Sequence, residues 1–423
     1  MKKLLDWRVV ILLAVFLISR IWILQHPPAK FSDVKEDYER YANQWRYGLT
    51  PYREIMFEYP PAVIPLVAFP LELDQRGIGK YYGNYRLQIF AFEILLFTAM
   101  MFCVLRIRKE TNLKHAGLKD WRTWIPLIFY IGAGMLAKDY WYEGIDLVFF
   151  GSFTLGLMFV LAKHQTFLKR VFLWTLFWFS VAIKIMTAPL AFPIYLTKTL
   201  PWKKELLACI VGGVLVWGLP VALYRSSLSV FVVFHANRPM KYGAFGTYLV
   251  EAINEYTHSE YRLMKAPDFP MVGPVATKVT AVSKAMLPIG IIVVLTYAAL
   301  SSKALQKAKN PQIARFEYLT RISLVYLFTL FLVGKTFSSP FHFWYLPLLA
   351  VYPFSSLAHQ LMSYVSALVM LGLDTTPFFD APKDVIAFAS TSWTRVRDSF
   401  RFSPMILITM LLTWKHKKGV LRG

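Results

Sequence analysis

The run VVILLAVFLISRIWIL, residues 9–24, decides the fold. It is apolar apart from Ser19 and Arg20 and approaches the roughly 20 residues a helix needs to cross bilayer hydrocarbon. Lys2 and Lys3 precede it, which places residue 1 on the cytoplasmic side. No small-residue cleavage site follows, and Arg20 and Trp22 lie near its end. The run therefore reads as an uncleaved signal-anchor, with Asp33 emerging outside. Arg20 is placed to snorkel to the interface. Similar runs recur along all 423 residues, 56% of which are hydrophobic. The expected fold class is all-α: a polytopic membrane protein built as one domain over 1–423.

The net charge of +22 does not indicate nucleic acid, because Lys and Arg collect between the apolar runs. Basic clusters at 106–122, 163–170, 198–204, 303–321 and 415–422 are expected in the cytoplasm. Apolar runs pair between them as out-and-back hairpins: 123–137 with 147–162, 171–185 with 186–197, and 318–333 with 341–356. Crossings at 87–105, 206–223 and 283–300, and a final pair at 357–372 and 404–414, bring the expected total to about ten to twelve spans. Several runs are short for a span and are expected to be broken or re-entrant helices, which are tolerated where they line a cavity. No internal repeat is evident. Cys103 and Cys209 both fall inside apolar runs and support no disulfide framework.

This topology gathers 33–86, 138–146, 224–279 and 334–341 on the outer face, where the unusual polar residues also lie. The first outer loop, 27–86, is the richest. Tyr38, Tyr41, Ala42 and Trp45 fall on one helical face, with Glu36, Asp37, Glu39, Arg40 and Asn43 mostly off it, so a helix lying along the interface is expected. Gly48 can end it, Pro51-Tyr52 begins a turn, and a second juxtamembrane helix should run to about Leu73. In the long loop 225–284, residues 251–261 look amphipathic.

The ordered set Asp33-Val34, Tyr41-Ala42, Gly48, Pro51-Tyr52-Arg53 and Glu58-Tyr59-Pro60-Pro61 resembles the first outer loop of polyprenyl-phosphate-sugar-dependent glycosyltransferases of the C superfamily, most closely glycosyltransferase family 87. Asp146-Leu147, Ala182-Ile183-Lys184 with Pro189, Phe234-His235-Ala236-Asn237-Arg238-Pro239, and Phe337-Ser338-Ser339-Pro340 before Trp344-Tyr345-Leu346-Pro347 follow in the family's order, so the resemblance covers 8–355. The chain departs from it at Phe341-His342, where the family usually has Gln-Tyr, and at Met240-Lys241-Tyr242.

The resemblance implies inverting transfer of a hexose, most closely mannose, from polyprenyl phosphate to an acceptor hydroxyl of a glycan or glycolipid, in the lipid bilayer and on its outer face. A bacterial inner membrane is the expected location. Such chemistry needs a base, cations for the departing phosphate, and an apolar groove for the isoprenoid. Asp33 matches the family's catalytic Asp. With Glu36 it also forms an Asp-x-x-Glu capping box. Asp37 is an alternative base or a solvated charge. Glu58 can orient acceptor hydroxyls or pair with Arg53, and Tyr59 shapes the site beside it. Arg238 suits bidentate phosphate binding or lipid headgroups. His235 can donate to phosphate or pack within its loop, and Lys335 and His342 flank Ser338-Ser339-Pro340 as further phosphate candidates.

Lys184 is an ionisable group within an apolar run, a functional candidate by position, with Asp146 its natural partner in a functional or a structural pair. No metal-ligand spacing and no Gly-rich phosphate loop are present, and no cofactor is expected. A glycan ligase or polymerase would use the same face with denser cations. A transporter or flippase would show repeats and midplane polar groups.

Overall fold

A backbone in hydrocarbon must satisfy its own polar groups, so the apolar runs become helices. The computed structural model describes residues 6–26, 32–110, 120–241, 243–259, 262–263, 270–375 and 402–414. Among them, five helices are long and apolar enough to cross a membrane: Trp7–Gln25, Tyr81–Glu110, Trp202–Tyr224, Pro274–Lys307 and Pro311–Val333. Ile125–Leu136, Asp146–Leu161, Ile185–Leu196 and Ser403–Thr413 are apolar but shorter. The chain is thus an α-helical integral membrane protein. The expected apolar segments are present as helices, several of them too short to cross as one straight rod. The tail at 415–422, residues 111–119 of the 106–122 cluster, and positions 27–31 lie outside the described residues.

The chain divides into two compact units. The first comprises Met1–Asn237, Asn310–Thr320 and Phe343–Pro353. It contains α1 (Trp7–Gln25), α2 (Glu39–Arg46), α3 (Val63–Gln75), α4 (Tyr81–Glu110), α5 (Ile125–Leu136), α6 (Asp146–Met158), α7 (Phe167–Val181), α8 (Ala191–Leu196), α9 (Trp202–Tyr224) and α10 (Ser229–Asn237). Its closest helix pair is α7 with α9, and Gly212 permits the approach: a Cβ there would sit 2.7 Å from the Thr175 backbone nitrogen. At one end of this pair Arg170 and Glu205, both fully buried, form an ion pair, and Trp174 Nε1 donates to Glu205 at 2.8 Å. Arg170, expected in a cytoplasmic loop, is instead built into the first turn of α7.

Arg20 does not snorkel. It is fully buried, its Nε donates to Glu93 Oε1 at 2.9 Å, and its guanidinium lies over the Trp141 ring at 4.8 Å. A carboxylate across the helix pair removes the reason to reach for water. Tyr142 donates to the other Glu93 oxygen at 2.5 Å.

The second unit comprises Arg238–Lys309, Arg321–His342 and Phe354–Gly423. It holds α11 (Phe245–Thr257), a two-residue antiparallel hairpin of β1 (Arg262–Leu263) and β2 (Met271–Val272), and α12 (Pro274–Ser302). Pro274 opens α12 at a position where its missing N–H is no loss. Met240, Ala244, Val250, Met271, Ala276 and Val279 form its core. Of the amphipathic stretch expected at 251–261, residues 251–257 form the second half of α11, closed by His258 in the left-handed conformation, and residues 260–261 lie outside the described residues. Two helices, α13 (Pro311–Val333) and α14 (His342–Val351), carry residues of both units. The last helices, α15 (Leu357–Thr375) and α16 (Ser403–Trp414), pack together in the second unit.

Candidate active site

The outer loop begins as a π-turn. Val34–Tyr38 is wound as a π-helix that leads into α2. Such turns are uncommon and recur at functional sites, because the extra residue re-aims the side chains around it. The expected aromatic stripe is buried inside the protein: Tyr38, Tyr41 and Ala42 are covered, and Tyr41 and Trp45 meet the Phe57 ring edge-on. Gly48 ends the helix with φ +84°, and Tyr52, also at positive φ, donates its hydroxyl to the Tyr59 carbonyl at 2.5 Å. The expected second helix is α3.

Asp33 stands at the head of the π-turn and makes no side-chain capping bond. The capping-box alternative therefore does not describe it. Its carboxylate reaches instead toward the loop before α6. A Cβ placed on Gly144 would lie 3.4 Å from Asp33 Oδ2, 3.3 Å from Asp146 Oδ2 and 4.0 Å from the Tyr38 hydroxyl. Two carboxylates and a phenol, from the π-turn and from the start of α6, thus converge on the position beside Gly144. Burial, with the Tyr59 and Tyr85 hydroxyls and the Asp33 and Asp146 carboxylates around it, holds the Tyr38 hydroxyl well above its ordinary range. It remains a neutral O–H group beside the acids.

Lys184 lies 2.5 Å from Asp146 Oδ1, and Trp344 Nε1 donates to the same oxygen at 2.5 Å. The lysine is not on a continuous transmembrane helix. α7 ends at Val181, Lys184 is extended, and a 3₁₀ turn (Ile185–Leu190) resumes before α8. The break is closed from the outer loop, where the Ala62 N–H donates to the Ala182 carbonyl at 2.9 Å. Asp146 is almost fully buried and Lys184 partly exposed, so the cation neutralises the acid while its own edge stays accessible.

Asp37, half-buried, lies 2.8 Å from Arg40. Arg53 donates to the Leu223 carbonyl at 2.7 Å, and His235 Nε2 donates to the Glu58 carbonyl at 3.0 Å. These two bonds fasten the outer loop to the end of α9 and to α10. The packed-loop alternative describes the Nε2 face of His235. Tyr59 packs edge-on against Tyr38 at 5.6 Å, behind the acids.

The remaining candidates belong to the second unit. Lys335 Nζ donates to the Arg238 carbonyl at 2.5 Å, and the Lys335 carbonyl accepts from the Lys241 N–H at 2.9 Å. Desolvation, reinforced by the Lys284 and Arg238 charges, lowers the Lys335 ammonium to about 8. Arg238, Lys335 and Lys284 thus form a cation group, and Lys284, the last residue of the loop 225–284, was not singled out by sequence. His342 is buried with its Nε2 2.6 Å from Asp374. It faces a carboxylate, which removes that nitrogen from any phosphate-binding set.

Sequence reasoning also missed Glu143, Arg86, Ser32 and Gly144. Glu143 is 4% exposed, lies 3.0 Å from Arg86 Nε, accepts from the Ser32 hydroxyl, and accepts from Tyr82 at 2.9 Å. The signal was there in kind, as two carboxylates within four residues at the mouth of a span, but nothing in the spacing says which one faces the site. Among the described residues no group of three or more His, Cys, Asp or Glu side chains is placed to hold a metal ion.

Two crystal structures of ArnT from Cupriavidus metallidurans are similar to this chain. The apo form matches over 98% of this chain and 77% of its own, with 12% identity and a TM-score of 0.46. The form bound to undecaprenyl phosphate matches over 96% and 76%, with 14% identity and a TM-score of 0.47. No family model and no curated protein matches the sequence.

Proposed function

We propose that this protein is a membrane glycosyltransferase that moves a hexose, mannose by its sequence resemblance to family 87, from a polyprenyl-phosphate donor to an acceptor hydroxyl at the outer membrane face. The observation that carries the reading is the convergence of the Asp33 and Asp146 carboxylates beside Gly144. Asp33 is the base. It takes the proton of the acceptor hydroxyl as that oxygen attacks the anomeric carbon, the bond from that carbon to the phosphate oxygen breaks, and polyprenyl phosphate departs with the electron pair. A single displacement of this kind inverts the anomeric centre and needs one carboxylate base rather than two working residues.

Asp146 has a different part. Tied to Lys184 and Trp344, it is a fixed acceptor suited to hydrogen-bonding hydroxyls of donor or acceptor. Tyr38 stays protonated and can donate. Glu58 and Tyr59 shape the floor, with Asp37 on its surface. Arg238 and Lys335, with Lys284, are proposed as the phosphate-binding cations, since an ammonium held among like charges gains from any anion that joins it; His235 is a separate candidate on α10.

The test is transfer from radiolabelled polyprenyl-phosphate mannose in membranes containing the protein, with Asp33→Asn alongside. Transfer abolished by the substitution at unchanged protein level supports both reaction and base. Transfer that survives moves the base to another carboxylate, and no transfer from any lipid-phosphate sugar overturns the reading.

A further inference from the structure

We infer that Glu143 is a positioning residue that sets the separation of Asp33 and Asp146, acting on the first through Ser32 and on the second through the short connection containing Gly144. The inference rests on the glycosyltransferase reading for its chemistry but on geometry for its existence.

Glu143 is the residue before Gly144 and is 4% exposed. It is a buried hub. One oxygen accepts from Tyr82 at 2.9 Å and lies 3.0 Å from Arg86 Nε; the other accepts from the hydroxyl of Ser32, the residue before Asp33. Arg86 in turn donates to the carbonyls of Leu24 at 2.8 Å, Ile23 at 2.9 Å and His26 at 3.1 Å, at the end of α1. The residue that starts the outer loop and the helix that delivers it are therefore referred to the same carboxylate. On the other side, Glu143 immediately precedes Gly144 and lies in the chain segment that opens α6 at Asp146.

The connection has a second anchor. Its neighbour Tyr142 donates to Glu93, which is paired with Arg20. Arg86 and Glu93 are two turns apart on α4, so one helix face holds two adjacent residues of the loop at two heights. A buried ion pair contributes little net stability, because desolvation offsets attraction, but it fixes geometry sharply. Two such pairs under the connection from α5 to α6 suit a requirement for placement.

The discriminating variant is Ser32→Ala, which removes one hydroxyl and leaves the Glu143–Arg86 pair intact. With labelled polyprenyl-phosphate mannose in proteoliposomes, kcat should fall about tenfold with donor KM within about twofold, since small misplacement of a reacting group is felt in the chemical step. Ser32→Thr, which restores a hydroxyl, should recover most of the loss. Wild-type kcat in Ser32→Ala, a loss carried by KM, or no recovery in Ser32→Thr would overturn the proposal. A second readout does not depend on activity. In a Cys103→Ser, Cys209→Ser background, Asp33→Cys is labelled with a membrane-impermeant maleimide, with and without Ser32→Ala. A severalfold change in labelling rate is expected, and equal rates overturn the positioning role. If the wild-type protein transfers no sugar while the labelling rates differ, the reaction is wrong and the positioning stands.

Discussion

Gly144→Ala separates the proposed chemistry from the fold more cleanly than any charge substitution. The added methyl would sit 3.3 Å from Asp146 Oδ2 and 3.4 Å from Asp33 Oδ2, with no backbone atom among its nearest contacts. Gly144 is not among the residues at positive φ, so alanine meets no backbone strain there. The carboxylates need give way by only a few tenths of an ångström, and alanine narrows the unfolded ensemble by about 0.4–1 kcal/mol, so net stability should change by less than about 1 kcal/mol. The methyl nonetheless fills the point that the two acids border. Displacement of reacting groups by about 1 Å costs on the order of 100-fold, so kcat/KM for mannosyl transfer should fall about 10- to 100-fold. The assay is labelled transfer in proteoliposomes beside thermal unfolding in detergent. Wild-type transfer by Gly144→Ala would refute the reasoning, because the reactants then do not use that space. A large loss of stability would refute the steric half of it.

Two further predictions follow from the buried charges. Glu205→Ala leaves Arg170 buried and without its carboxylate, so stability should fall by about 3–5 kcal/mol in denaturant unfolding. Transfer by the fraction still folded should be unchanged, since the pair is far in sequence from Asp33 and bonded only within α7 and α9. Lys335 loses its charge as pH rises through about 8, so affinity for the proposed polyprenyl-phosphate product should weaken above pH 8 in wild type and stay flatter in Lys335→Arg. Stability has the opposite sign. Between that value and the unfolded lysine pKa near 10.4 the unfolded chain holds more protons, so this group's contribution rises with pH. Identical pH profiles for the two proteins would dismiss Lys335 as a phosphate ligand.

The helices were legible because hydrocarbon leaves the backbone one way to satisfy itself, and the runs at 123–137 and 147–162 appear as α5 and α6 close to where the composition puts them. The Lys184–Asp146 pair was also foreseeable, since two ionisable groups in apolar surroundings have few partners to choose from. What stayed hidden depended on distance along the chain. Arg20 meets a carboxylate 73 residues away, and Ser32 one that is 111 away. The π-turn hides too, because its apolar spacing over a few residues is the same as that of an ordinary helix start. Asp33 illustrates the limit well: the sequence permits a cap or a base, and only coordinates say that its side chain makes no capping bond.

The Arg20–Glu93 pair also bears on how the protein is made. A guanidinium at the centre of a lone helix disfavours membrane insertion by about 2.5–3.5 kcal/mol, and Arg20, nearer the end of α1, by less. Its counter-charge is synthesised 73 residues later, a delay of roughly 4 to 15 s at about 5–20 residues per second. For that interval α1 is a reluctant resident of the bilayer, held by its hydrophobic residues alone, and the arrival of α4 converts a provisional insertion into a committed one.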